Sequence, residues 1–436
     1  MTFSNVFPDS NGEIGITATG VGTQPLGILS AYTIEGNFAA ESTLRLAVSY
    51  DGTDLTFTWD SLDGKQYDLL SAAGLDTPRE TWPVYQAYQN ILASGTGANT
   101  LPGVAPDGAR RFFLVAERDA PPTPAELELL RLQKISTSTQ HCAFTGLTRF
   151  NDQFYCTWRE ASSHVSADGK LRVVRSADGI NWTSVALIAG AGTDLRDSKI
   201  EVTPDNRLIL HACEKFPDGT SPLRRNLAWF STDGTTWSDP VYIAEDDIWF
   251  WKHTWHQDTG YGVGYATASP YFARLYTSTD ATSWTTHVAT LNNNGYVNES
   301  SIVFMPDATA HCLLRRDSGT NTALLGTAPP PYTNWIWQDL GIRIGGPEMI
   351  RMPDDRLLAA VRLYSGSGWT PARTSLCWID PQAGTLTEAL TFPSGGDTSY
   401  AGMVWHDNRL WISYYSGHEG PTCVYFAEVA YNPPAG

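Results

Sequence analysis

Charge is sparse in this chain of 436 residues, and positive charge is sparser: 17% of the residues are Asp, Glu, Lys or Arg, with 29 basic against 46 acidic side chains and a formal net charge of −17. That field repels phosphate backbones and anionic lipid, so nucleic acid is excluded as a partner and an anionic ligand would need arginines of its own. No apolar run approaches the ~18 residues of a membrane span, and no membrane insertion is expected. The first twenty residues, MTFSNVFPDSNGEIGITATG, carry neither the basic nor the apolar region of a signal peptide. Cysteine is scarce as well. Cys142, Cys156, Cys213, Cys312, Cys377 and Cys423 are scattered, without a Cys-x-x-Cys pair or a metal-ligand spacing, so neither metal nor cofactor is expected. They read as small core residues, with a Cys142–Cys156 disulfide across one hairpin as the alternative. A Gly-rich phosphate loop and a nucleophile elbow are also missing.

Turn formers and aromatics are plentiful instead: 38 Gly, 26 Pro, 16 Trp and 19 Tyr. That is the composition of an all-β protein, and the length allows two to four domains at roughly 100–200 residues each. Residues 1–120 alternate apolar and polar positions in short runs (42–50, 55–59, 66–70 and 111–117) between Gly, Asp and Asn turns, which predicts a small β-sandwich. No chemical constellation lies there, so this part reads as an accessory module. Residues 121–127, inside the Pro-rich DAPPTPAEL, read as a linker.

From residue 128 onward the sequence repeats. Ser176-Ala-Asp178-Gly179-Ile-Asn-Trp182, Ser231-Thr-Asp233-Gly234-Thr-Thr-Trp237 and Ser278-Thr-Asp280-Ala281-Thr-Ser-Trp284 share one pattern, and a fourth segment keeps only Trp335. These tryptophans are 55, 47 and 51 residues apart, the period of a four-stranded propeller blade. Asp178, Asp233 and Asp280 are expected to accept backbone N–H groups inside tight turns, while the following residue takes a positive φ and Trp packs between sheets. A second repeat marks a hairpin in each unit, with turns at Pro204-Asp205, Pro306-Asp307, Pro353-Asp354, His406-Asp407, Asn151-Asp152 and Gln257-Asp258. Six hairpins predict a six-bladed propeller over 128–436, with ELELLRLQKIS closing the ring against CVYFAEV of the last blade.

The strands of a hairpin run antiparallel, so residues about seven before a turn and about nine after it return to one rim. Counting in this way collects Asp197, Glu299 and Tyr400 with Arg159, Arg315 and Arg362. Three arginines from three blades suit planar, bidentate recognition of a carboxylate. The plainer reading pairs each with a carboxylate of its own blade, Arg315 with Glu299 for instance.

The Asp-containing turns resemble the Asp boxes (BNR repeats) of the sialidase, or neuraminidase, superfamily of β-propellers, and the rim residues resemble its active site. In that family an arginine triad holds a sugar carboxylate, a tyrosine activated by a glutamate is the nucleophile, and a loop carboxylate is the acid/base. Asn298-Glu299-Ser300-Ser301 with Arg315 matches the glutamate and second arginine in context and spacing, and Ser399-Tyr400 ahead of MVWHDNRLWISYYS resembles the nucleophile segment. The family's Phe/Tyr-Arg-Ile-Pro segment is absent, and Arg159 in Trp158-Arg159-Glu160 stands in for its arginine. Arg373, 27 residues before Tyr400, competes with Arg362 for the third place. Glu160, His164 and Asp197 are the acid/base candidates, with Asp168 read as a turn residue. Trp251, with Trp249, either stacks on a sugar or packs a blade; Glu348 is a second site carboxylate or a partner for Arg362; His418-Glu419 shapes the rim.

The resemblance implies an exo-acting, retaining glycoside hydrolase that removes a terminal nonulosonic, sialic acid-like sugar from glycans without a cofactor, in a secreted, periplasmic or cell-surface setting. An exo-glycosidase or lyase on a plant or algal polysaccharide, and a non-catalytic glycan-binding propeller, stay open, since one fold hosts several chemistries.

Overall fold

The computed structural model describes residues 36–433 except 39–41, 45, 52, 74–77, 79–80, 87, 96, 106–111, 120–124 and 367. Most of the expected linker and the start of the chain therefore lie outside the described residues. The chain separates into two compact units, 1–123 and 124–436. In the first, Leu46–Tyr50, Leu55–Asp60 and Ala98–Val104 form one three-stranded sheet, and Ile91–Leu92, Lys65–Ala72 and Phe112–Asp119 form another. Alternation sends Phe57 and Trp59 from one sheet and Tyr67, Leu69 and Val115 from the other into a shared core.

The second unit is a six-bladed β-propeller. Its blades are four-stranded antiparallel sheets built from 141–189, 194–242, 248–292, 297–339, 344–391 and 398–431, the last completed by Leu127–Lys134. The first strand of each blade touches the first strand of the next, and that of blade 6 touches that of blade 1. Leu127–Lys134 pairs with Cys423–Tyr431, so a strand ahead of blade 1 completes blade 6 and ties the ring shut, as the sequence predicts.

The repeated motifs do the turning and the packing. Asp178 Oδ1 accepts the N–H groups of Ile180 and Asn181, both at 2.8 Å, which holds its carboxyl well below the usual range. Asp233 and Asp280 do the same in blades 2 and 3. The residue after each Asp has a positive φ: 68° at Gly179, 74° at Gly234 and 64° at Ala281. The degenerate fourth box keeps that geometry without its consensus residues. Tyr332 takes the positive φ, and Trp335 Nε1 donates to Tyr332 O at 2.8 Å, as Trp284 Nε1 does to Ala281 O at 3.0 Å. All six cysteines are buried and free; Cys142 sits opposite Glu160 and Cys156 opposite Leu147, so the alternative disulfide is not formed.

One irregularity recurs in every blade. The first strand carries one residue more than its partner, at Ala143/Gly146, Arg196/Lys199, Phe250/Lys252, Val297/Ser300, Gly345/Glu348 and Ser399/Gly402. Such bulges re-aim side chains and gather at functional ends of sheets. At Phe144, Asp197 and Tyr400 the bulged backbone has a positive φ without glycine, which costs about 1–2 kcal/mol at each. Strain repeated at one level of a ring marks the end where a site belongs.

Candidate active site

Each bulge contributes one residue to this end: Phe144, Asp197, Trp251, Glu299, Gly346 and Tyr400. Phe144, Trp251, Glu299 and Gly346 gather on Tyr400. The rings of Phe144 and Trp251 meet its ring edge-on, with centroids 5.2 and 5.5 Å away, and its hydroxyl donates to Glu299 Oε1 at 2.5 Å. Gly346 N donates to Glu299 Oε2 at 2.8 Å. Gly346 has φ +53°, and a Cβ there would lie 2.8 Å from Tyr400 Cδ2, so no other residue fits under the tyrosine.

Arg315, near the end of Ala310–Arg316, donates through Nη1 to Glu299 Oε2 at 2.6 Å and to the Tyr400 oxygen at 3.1 Å, while Nη2 lies 3.0 Å from Asp317. Arg362, on Leu357–Tyr364, donates to Thr398 O at 2.6 Å, to the Tyr415 oxygen at 2.9 Å and to Asp397 at 3.3 Å. Its guanidinium carbon stands 5.3 Å from the Tyr400 ring centre. Asp397 also accepts from Tyr415 at 2.7 Å and contacts His164 Nδ1 at 2.5 Å and His141 Nε2 at 3.1 Å. A cavity of about 490 Å³ opens over this network, with Tyr400, Glu299, both arginines, Asp317, Asp397 and His164 on its wall. That volume suits one or two sugar units.

Burial pushes the Glu299 carboxyl up, but Arg315 and the hydrogen bonds from Tyr400, Arg315 and Gly346 outweigh it and hold it below the usual range. Burial, and then the charge of Glu299, raise the Tyr400 phenol well above its ordinary value. At rest the proton therefore belongs to Tyr400, and Glu299 is the acceptor placed to take it. Asp397 is pushed up by burial, yet the hydrogen bonds of His141, His164 and Tyr415 keep it ionised.

The structure brings together Glu299, Arg315, Arg362, Tyr400 and His164 among the residues picked from the sequence. It places the others elsewhere. Arg159 is 0% exposed and spends its guanidinium on Asp194 Oδ1 at 2.8 Å, Ser163 O at 2.9 Å and Ser166 O at 3.0 Å, inside blade 1 and away from the cavity. Glu160 turns to Arg172 at 3.1 Å on the neighbouring strand. Trp251 is 2% exposed and supports Tyr400 from behind, with no free face for a sugar. Glu348 pairs with Lys252 beside a small cavity that Lys199 and Glu201 also line. Asp197 is buried 3.9 Å from Arg196, and desolvation raises its carboxyl, but it does not reach the cavity wall. Arg373 is held by both oxygens of Glu388, at 2.7 Å each, so Arg362 rather than Arg373 faces the site. Asp168 accepts from Ser162 as a turn residue does. Asp317, Asp397, Tyr415 and His141 escaped the sequence reading. The available signal was a carboxylate two residues past Arg315 and another three before Tyr400.

No family model and no curated relative matches this sequence. Solved structures match it in fold. A Dyadobacter fermentans protein of unknown function is 18% identical with a TM-score of 0.60, over 70% of this chain and 100% of that one. An α-L-arabinanase from Penicillium chrysogenum, solved with arabinobiose, is 14% identical with a TM-score of 0.54, over 69% and 98%. Trypanosoma rangeli sialidase is 12% identical with a TM-score of 0.51, over 66% of this chain and 55% of that one. The chain thus has a glycoside-hydrolase-like propeller fold that sialidases and arabinanases share.

Proposed function

We propose that the protein is an exo-acting, retaining glycoside hydrolase in which Tyr400 is the nucleophile and Glu299 its base. The observation that carries this is the 2.5 Å hydrogen bond from the Tyr400 hydroxyl to a buried, ionised carboxylate at the floor of a sugar-sized cavity. Both oxygens of Glu299 are already engaged, Oε1 by Tyr400 and Oε2 by Arg315 and Gly346. The phenol oxygen is therefore the better attacking atom. As it bonds to the anomeric carbon its proton passes to Glu299, and Arg315, 3.1 Å from that oxygen, stabilises phenolate character on the way. His164, held by Asp397 on the cavity wall, is the group placed to protonate the departing oxygen and later to activate water.

A tyrosine nucleophile suits an anomeric centre that bears a carboxylate, which a charged nucleophile would repel, and Arg315 with Arg362 would hold that carboxylate. This makes a terminal nonulosonic acid on a glycan the first substrate reading. A second reading, a neutral terminal sugar such as arabinose, is favoured by one specific observation. Each cavity arginine already faces an aspartate, Arg315 with Asp317 at 3.0 Å and Arg362 with Asp397 at 3.3 Å. The likeness to an arabinanase supports this second reading. A panel of aryl glycosides including sialosides and arabinofuranosides separates the two. Release from a sialoside supports the first; release only from neutral glycosides overturns it in favour of the second. Saturable binding of the panel without any turnover would overturn the hydrolase and leave a glycan-binding propeller.

A further inference from the structure

We infer that His141, His164 and Asp397 form a binding site for one divalent transition cation of the zinc class at the edge of the cavity. The three residues come from three separate stretches of chain: the start of blade 1, the loop between its second and third strands, and the approach to blade 6. One donor atom from each residue lies within 4.8 Å of the other two, and His141 Nε2 and His164 Nδ1 both face Asp397 Oδ2. Two imidazoles and one carboxylate are the ligand set of borderline metals such as zinc rather than of calcium or magnesium, which take oxygen.

The distances nearly fit. Metal bonds of about 2.0–2.2 Å place neighbouring ligand atoms roughly 3–3.5 Å apart. The 3.1 Å from His141 Nε2 to Asp397 Oδ2 already meets this, and the 2.5 Å from His164 Nδ1 to the same oxygen has to open. The side chain of His164 is 47% exposed, on the segment between Ala161 and Lys170, so it has room to do so. Asp397 is aimed by outer partners, since Tyr415 and Arg362 hold Oδ1 and leave Oδ2 for the histidines. His141 Nδ1 is buried without an acceptor, so the histidine lacks the outer hydrogen bond that usually strengthens a ligand, and micromolar rather than nanomolar affinity is expected. The competing account is two imidazole N–H groups donating to one carboxylate oxygen, which predicts no ion at all. Occupancy would tie down His164 and Asp397, both on the cavity wall, and so suppress turnover.

Calorimetric titration of the chelator-treated, tag-free protein with zinc chloride tests the site independently of any substrate. One zinc per chain with micromolar affinity is expected, weakened at least about tenfold by His164→Ala and by Asp397→Asn, with no saturable heat from magnesium or calcium chloride. Absence of saturable zinc binding in the unaltered protein overturns the proposal. So does zinc binding that both variants retain in full. His141→Ala is the less safe variant because that residue is mostly buried; His164→Ala alters an exposed side chain, so its loss of binding cannot be put down to misfolding.

Discussion

Arg159 and Arg362 hold the same register in their blades and end in opposite surroundings. Each pairs across its hairpin with the residue just before the bulge, Ala143 for one and Gly345 for the other. Arg159 is then enclosed. The 162–169 loop folds back to offer the carbonyls of Ser163 and Ser166, and Asp194 arrives from blade 2. Gly169 completes the enclosure, because a Cβ there would lie 2.5 Å from Arg159 Nε. Arg362 meets Asp397, Thr398 and Tyr415 of blade 6 on one side and keeps a place on the cavity wall. Position along a strand decides where an arginine begins; what folds over it, here the 162–169 loop, decides whether it is available, since both arginines meet an aspartate from the next blade.

Four experiments would break or sharpen this contrast between a buried brace and the residues of the cavity. The largest effect is expected from Tyr400→Phe, which removes the oxygen proposed to attack and keeps the ring packed on Phe144 and Trp251. Turnover of the best aryl glycoside should fall at least about 10³-fold with KM little changed. A near-normal kcat would transfer the nucleophile's role to Glu299.

Next comes Gly346→Ala, which forces a methyl group against the Tyr400 ring and strains the N–H that Glu299 accepts. A displacement of that size lowers kcat by about 10²-fold, while the six-bladed ring is expected to survive, as circular dichroism would report. Unchanged kcat would mean that the position of Tyr400 is not critical.

The paired change Arg159→Lys and Arg362→Lys tests the comparison directly. The first should lower stability by about 2–3 kcal/mol, because the donors of a lysine diverge from one nitrogen and cannot span the positions that Nε, Nη1 and Nη2 reach, while activity per folded molecule stays. The second should raise KM several-fold besides lowering Tm, since Arg362 also holds Thr398 O, Tyr415 and Asp397, so KM is the readout that separates the two. Equal effects of the two on KM would restore Arg159 to the site.

The smallest effect concerns Glu201, whose carboxyl burial raises to about 7 even though Lys252 lies 3.9 Å away and the side chain keeps 28% exposure. The folded protein holds this proton more tightly than the unfolded chain, whose glutamates titrate near the ordinary 4.5. The group therefore leaves stability intact below that value and removes some of it as pH rises from there to about 7. Glu201→Gln should gain about 1 kcal/mol at pH 8 and nothing near pH 4, as denaturant midpoints at the two pH values would show. A gain of equal size at both would rule out the titration.

The propeller itself was determined by local sequence. Asp boxes at blade spacing and six hairpin turns are short-range chemistry, an aspartate capping the N–H groups of the next few residues, and such signals survive without knowledge of the rest of the chain. Even the closing strand was readable, as the segment ELELLRLQKIS ahead of the first hairpin, set against CVYFAEV of the last blade. Glu299, Arg315 and Tyr400 were legible because each stands at a countable distance from a turn. Only the tertiary structure decided what those residues touch. Bulges shift the register by one and turn Tyr400 inward; Asp194 and Asp397 come from segments that no periodicity links to the arginines they occupy. Whether an arginine faces the cavity or is a buried brace depends on what the fold closes over it, and that closeness through space is not written in the spacing along the chain.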